Sequence, residues 1–503
     1  MAFRSTIRSR NPITGLLLAL AAGLLALLVP AGSGPTVDVG GSTPFRWDAA
    51  DLFASLEDGF VRARETPLGA AQERADSLDR GEAVLLERIG QSEGTPLDDL
   101  GLLAGQQFAY ALLGAAHPSL LPRAEAFVLR ARVTVMRAAA TWQARRETHE
   151  ALYRVLFGGR IAIEEALVQA GPGVLGALVQ IESVPSGTPF IEVEGVRVHS
   201  GDILLSRGGA PTSALIARGS DFANTFSHAA LAHVDSETGV GTVIESLIET
   251  GSVLSTVEEY LESKKHRILV LRVRPDHPAL ETDPLLPHRA ASLMLERLDA
   301  DPVAYDFAMD WANPSAMFCS EVVYHAFGQQ GLELWSIRSA MSSPGLVRWL
   351  GAMGVREFRT LVPSDLEYDA QLRAVAEWRD VPALMDYRFD NAITDALLED
   401  ADRGSDLGYS WFALPVARLL KGFSVGQSLL GREPTVPKGM SADAALRVAA
   451  LVSTVSPALR RRVMEREEDF FEENGYRAPY WTLVEFARSS LLDLKADLSP
   501  ALR

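Results

Sequence analysis

Between about residues 195 and 275 the hydrophobic pattern of this chain changes its period. "GDILLS", "SHAALAHV", "GTVIESLI" and "RILVLRV" are short aliphatic and β-branched runs separated by Gly, Asp and Ser. Such runs predict strands, and their close spacing predicts a mostly antiparallel sheet. "DSETGVG", between the second and third, is a natural hairpin connection. The sequence on either side obeys a different rule. From Trp47 to about Ala170, stretches such as "LPRAEAFVLRARVTVMRAAATWQARRETHEALYRVLF" set apolar residues three and four apart between charges, the pattern of amphipathic helices. "AGPGVLG" at 170–176 interrupts that run and "ESVPSGTPF" at 182–190 comes next as a loop. "STVEEYLES" at 255–263 predicts a short helix capped by Ser255, with Glu258 completing a capping box. "PHRAASLMLERLDA" at 287–300 predicts another. From about 366 onward the pattern is helical again, punctuated by "GREPTVPKG" at 431–439. The expected fold class is α+β, with an antiparallel sheet domain at 190–362 between helical regions at 47–180 and 366–503.

The start of the chain reads as a targeting segment. Arg4, Arg8 and Arg10 precede Ile13 to Val29, an almost unbroken apolar run without a charge. Residues 1–34 therefore predict either a cleaved signal peptide or a retained membrane anchor, with "VPAGSG" offering small residues for cleavage at Ala31. No cysteine comes directly after the run, which excludes lipid attachment there. A Gly/Pro/Thr-rich linker occupies 35–46. The expected location is outside the cytoplasm, in the periplasm or cell envelope.

Composition removes several classes of function. A formal net charge of −17 argues against nucleic acid as a partner, since phosphate neutralisation needs a basic surface. The run Arg460, Arg461, Arg462 reads as a solvated helix face. A chain of 503 residues with one cysteine can form no internal disulfide and no multi-cysteine zinc site. The nine histidines show no HExxH pattern, and the sequence holds no Walker loop, dinucleotide fingerprint or GxSxG elbow.

The cysteine stands in "FCSEVVYHAF". Val322, Val323, Ala326 and Phe327 form one apolar stripe, and Asn313-Pro314 upstream favours an extended approach, so Cys319 falls in or just before the first turn of a helix. Unpaired N–H groups and the helix dipole there favour thiolate over thiol. Such sites bring cysteine pKa values from about 8.5 down to roughly 3.5–7.5. A nucleophilic thiol needs a base, and the base an orienting group. His228 opens the strand "HAALAHV" after the polar loop "GSDFANTFS". Period-2 alternation puts it on the face opposite His233, which is expected to be an exposed strand residue. His325 is read as structural. Glu245, an acid within the apolar run "GTVIESLI", is the candidate orienting group, with Glu249 its local competitor.

"GDILL", "SHAAL", "VIES" and "YDFAMDW…FCSEVVYHAF", in that order, resemble the YiiX/YebB-like branch of the NlpC superfamily of cysteine hydrolases. That branch has a circularly permuted papain-like fold, related to the lecithin:retinol acyltransferase group. The resemblance covers roughly residues 195–350. It implies Cys319 as nucleophile, His228 as base and Glu245 as the residue that orients it, in the permuted order His, Glu, Cys. Asp202 and Tyr305-Asp306 also match family motifs; Asp202 is read as holding a turn, and Asp306 as capping a helix or lining the cleft. Taken with the targeting segment, the resemblance implies an exported cysteine hydrolase acting through an acyl-thioester, with no metal or organic cofactor. The expected substrate is an amide- or ester-containing envelope component, a cell-wall peptide or a lipid. A lipid acyltransferase or thioesterase of the same fold, and a non-catalytic envelope interaction protein, are the alternatives.

Overall fold

The computed structural model describes residues 42–47, 49–405, 413–429, 436 and 440–498. The expected targeting segment, the linker up to residue 41 and most of 431–439 lie outside the described residues.

The N-terminal region is a helical bundle, as its three-and-four spacing predicts: α1 (Ala49–Glu65), α2 (Leu68–Gly90), α3 (Leu97–Ala116), α4 (Leu121–Ala138) and α5 (Arg146–Ala170). Their buried stripes, among them Leu103, Tyr110, Phe127, Val135 and Leu156, form one core. Helix α5 ends where "AGPGVLG" begins, at Gly171 with φ +83.

A sheet comes next, built from β1 (Leu178–Gln180), β4 (Ile203–Gly208), β5 (His228–Val234), β6 (Gly241–Leu247), β7 (Gly251–Thr256), β8 (Lys265–Val273) and β9 (Leu372–Arg379). Their order is β1-β9-β8-β4-β5-β6-β7, and neighbouring strands are antiparallel throughout. A small hairpin, β2 (Phe190–Val193) and β3 (Val196–His199), stands beside it. The intervening helices are α6 (Pro211–Arg218), α7 (Val257–Glu262), α8 (Pro278–Thr282), α9 (Leu286–Ala300), α10 (Cys319–Gly328) and α11 (Pro344–Met353). Alternation along the strands feeds two cores. Leu205, Ala229, Leu231, Ile244 and Leu269 face α9 and α10, packing on Ala290, Met294, Val322 and Phe327. Leu204, Ala230, Ala232, Val243 and Val270 face the β2–β3 hairpin and α7, packing on Val196, Val198 and Tyr260. Burial on both sides explains why these strands read as continuous apolar runs.

The sheet extends beyond the expected limits of 190–362. β9, in a stretch that reads as helical, pairs with β8 over Arg267↔Arg379 to Val273↔Leu372, and β1 pairs with it at Leu178↔Trp378. The region from about 366 is expected to be helical throughout, but "LRAVAEWR" is a strand whose Glu377 is buried and ion-paired with Arg267 at 2.9 Å. The capping box also sits one residue later than expected. Thr256 caps α7 and Glu259 returns the bond, Ser255 being still in β7.

Turn residues match the roles expected of them. Asp202 accepts from His199 N–H at 2.8 Å and holds Arg272 through both oxygens, at 2.8 and 2.7 Å. Gly201 before it has φ +94, and a Cβ there would lie 2.3 Å from Pro287, so no other residue fits. Asp235 accepts from Glu237 and Thr238 N–H and closes the β5–β6 hairpin.

The C-terminal region comprises α12 (Leu384–Asp402), α13 (Leu414–Leu429), α14 (Ala442–Ala450), α15 (Ser456–Asn474) and α16 (Tyr480–Leu498). Far from being wholly solvated, the Arg460–Arg462 run ties helices together: Arg460 bonds Asp390 at 2.7 Å and Arg462 bonds Asp497 at 2.7 Å. The helical stretch Ala442–Asn474 is, among the described residues, long and apolar enough by composition alone to cross a membrane. In the fold its Ala444, Leu451, Leu459 and Val463 are buried against neighbouring elements.

The two helical regions touch although the whole sheet domain separates them in sequence. Phe53 stacks on Trp481 with centroids 4.9 Å apart, Gln169 bonds both backbone groups of Arg477, and Arg388 grips Glu165 at 2.8 Å. Beneath them, Arg132 and Arg160 of the bundle close on buried Glu367, and Glu164 on Arg267 of β8. Despite its burial, Arg160 and Arg132 hold the Glu367 carboxyl at about 2. Losing one partner of such a network leaves a buried charge uncompensated, a cost of about 3–5 kcal/mol.

Candidate active site

Cys319 is the first residue of α10, and Phe318 before it is extended, with φ −87 and ψ 174. The thiol therefore lies at the end of the helix where backbone N–H groups lack intrahelical partners. Glu321, one turn in, accepts a hydrogen bond from Phe318 N–H at 2.6 Å. The upstream approach is fixed from the sheet, where Ser246 Oγ donates to the Met317 carbonyl at 2.6 Å. Cys319 is 5 % exposed and packs among the residues between sheet and α10.

His228 is the first residue of β5. The register Leu231↔Ile244 and Ala232↔Val243, carried one step on, sets Glu245 across from Ala230 and on the same face as His228. The two are diagonal neighbours, within reach for long side chains. His228 Nε2 and Glu245 Oε2 are 2.7 Å apart. Glu249 is exposed in the turn after β6. The hairpin register, which sequence alone left open between the two acids, brings Glu245 to the histidine.

With Nε2 engaged by the carboxylate, the other ring nitrogen is left for the thiol, and the two groups shift each other. Burial alone would lower the His228 pKa; the Cys319 sulfur and then Glu245 outweigh it and push it up to about 9. Burial alone would raise the Cys319 thiol; the His228 ring, with the Ala229 N–H and Ser320, brings it below its ordinary value. The arrangement favours a thiolate–imidazolium pair.

Other groups surround this centre. Tyr260 is buried near Glu245 and donates to Ser206 Oγ at 3.1 Å, and the Lys265 ammonium lies 3.6 Å from its ring centroid. Burial pushes Glu321 up to about 9 against the pull of the Phe318 N–H, with the Asp306 charge adding to the rise. Asp306 accepts from Ala308 and Asp310 N–H at 2.8 and 2.6 Å, a local turn. Ser246, Tyr260 and Lys265 carry no signal of their own in the sequence. Their contacts to Met317, Ser206 and the tyrosine ring depend on long-range pairing that no local pattern encodes.

His233 is a correction. It is buried, not exposed, because α9 covers that face of β5; its Nε2 meets Ser292 Oγ at 3.1 Å and its ring stacks on His288. It does lie on the face opposite His228. Among the described residues no group of three or more His, Cys, Asp or Glu side chains could hold a metal ion.

Comparison with known proteins bears on the same segment. Residues 197–376 match the model of the permuted papain-like amidase enzymes YaeF/YiiX, the C92 family. A crystal structure of the metalloprotein yiiX from Escherichia coli O157:H7 is 19% identical, covering 35% of this chain and 95% of that one, with a TM-score of 0.28. No curated protein matches the chain. With the order of its motifs, its α+β architecture and the family match all falling on the same residues, the central domain at 197–376 is similar to the permuted papain-like amidases YaeF/YiiX, and the chain is an enzyme of the cysteine hydrolase kind.

Proposed function

We propose that Cys319 is the nucleophile, His228 its proton partner and Glu245 the group that orients the histidine, in cleavage of an amide carried by an exported or envelope component. The observation that carries this reading is the 2.7 Å bond between His228 and Glu245 beside a thiol at a helix N-terminus. The carboxylate fixes the ring and stabilises its protonated form, as the acid of a catalytic triad does. The thiolate attacks the carbonyl carbon, and N–H groups at the start of α10 are available to the developing oxyanion. Imidazolium then gives its proton to the leaving amine, and a thioester joins acyl group and Cys319. Water, deprotonated by the now neutral His228, adds to the thioester; the acid product leaves and the thiolate–imidazolium pair is restored.

The two shifts set the pH dependence. The reactive pair exists above the lowered pKa of the thiol and below about 9, where His228 loses its proton. Amide hydrolysis is therefore expected to be bell-shaped in pH, and iodoacetamide should alkylate Cys319 well below pH 8. An alkylation midpoint at that of an ordinary thiol, about 8.5, would overturn the assignment.

Residues 1–34 motivate the exported location: a basic start and then an apolar run. Fractionation of a bacterial host is expected to recover the chain outside the cytoplasm, as a tethered or a released form. Recovery of the full-length chain as soluble cytoplasmic protein would rule this out.

A further inference from the structure

Two hydrogen bonds not used in the proposed chemistry converge on the Met317–Phe318 peptide unit that leads into the nucleophile. Ser246 Oγ donates to the Met317 carbonyl at 2.6 Å, and Phe318 N–H donates to Glu321 at 2.6 Å. Both side chains are buried, at 1 % and 0 % exposure. Ser246 comes directly after Glu245 in β6, so the two side chains leave the strand on opposite faces. A single step along β6 thus sets both reacting partners: Glu245 reaches His228, and Ser246 holds the backbone that carries Cys319. Glu321 holds the N–H of that same Met317–Phe318 peptide unit from inside the helix. Buried polar groups bond somewhere in any fold, and helix capping alone would explain a short side chain here. Capping does not explain a buried carboxyl whose second oxygen, Oε1, has no hydrogen-bond partner. Keeping that group costs desolvation, and what it supplies is one acceptor aimed at one amide.

We propose that Ser246 and Glu321 are positioning residues that aim the Cys319 sulfur at His228, an inference that rests on the proposed Cys319–His228 chemistry. The test is the rate of iodoacetamide alkylation against pH for the full-length chain, read only on variants that keep the parent's cooperative melt. For Ser246→Ala the rate at about pH 6.5 is expected to fall about ten-fold while the rate at about pH 10 holds, because the midpoint rises toward that of an ordinary thiol. Glu321→Met should do the same. Glu321→Gln, which keeps an acceptor oxygen for Phe318 N–H, should return the midpoint toward the parent value. An activated parent thiol with unmoved midpoints in Ser246→Ala and Glu321→Met overturns this inference and leaves the Cys319–His228 pair standing. Equal shifts for Glu321→Met and Glu321→Gln also overturn it for Glu321. An ordinary midpoint in the parent itself overturns both readings. Should Ser246→Ala not fold, the Glu321 comparison alone decides.

Discussion

Cys319→Ala is expected to abolish amide hydrolysis while the protein melts within a few degrees of its parent. The two halves of this expectation have separate causes. Removing the nucleophile removes the covalent route, and comparable deletions elsewhere cost on the order of 10⁶ in turnover, down to the background left by binding and the oxyanion site. Stability is a closer question, because Cys319 is 5 % exposed and packs with Val322 and its neighbours. Yet only one sulfur atom is lost, so the cost should be about 1 kcal/mol, below the roughly 2–5 kcal/mol of truncating a core leucine. Activity measurements paired with thermal melts check both halves. A variant that melts far lower, or one that still turns over substrate, would return the cysteine to the role of buried filler.

The second large effect concerns Glu245, which acts through His228. Glu245→Gln keeps the shape and an acceptor but removes the charge beside the imidazolium. A drop of up to about 10⁴ in the chemical step is expected, with KM little changed, as when a triad acid is neutralised. His228→Ala should cost at least as much. The double variant should be no worse than His228→Ala alone, because the carboxylate then has nothing to orient. A further signature separates this from lost packing: Glu245 helps hold the His228 pKa at about 9, so the high-pH limb should move down in Glu245→Gln. Glu249, exposed in the turn after β6, is the control, and Glu249→Gln should be nearly silent. Damage from Glu249→Gln with a harmless Glu245→Gln would refute the third member of the site while sparing the other two.

Local pattern accounts for what is legible in the sequence. The strands β4, β5, β6 and β8 can be read because each is a short run dominated by aliphatic and β-branched residues, and α10 because its stripe begins just after the cysteine. β9 cannot, because its charged residues look like a solvated helix face until Arg160 and Arg267 are seen to neutralise Glu377 inside the molecule. The burial of His233 is hidden for the same reason: what covers it comes from α9, far along the chain. The choice between Glu245 and Glu249 needs the register of the β5–β6 hairpin, which depends on how many residues its turn consumes. The residues that hold the cysteine's approach, Ser246 above all, are ordinary in sequence and specific only in space.

The pairing of β1 with β9 at Leu178↔Trp378 has a consequence for how the chain becomes a molecule. The polypeptide enters and leaves the hydrolase unit at adjacent points on the same sheet edge. The helices before it and after it therefore meet as halves of one body, joined by Phe53 on Trp481, Glu165 on Arg388 and Gln169 on Arg477. During synthesis the first half is complete long before its partner, and must wait with those contact faces open. A ribosome-bound intermediate would thus hold the hydrolase unit with Arg207 and Arg218 still waiting for their partners on α12, Asn391 and Asp395. For anyone trimming the gene, neither flank is a disposable appendage, whereas the segment between them has the geometry of a cassette.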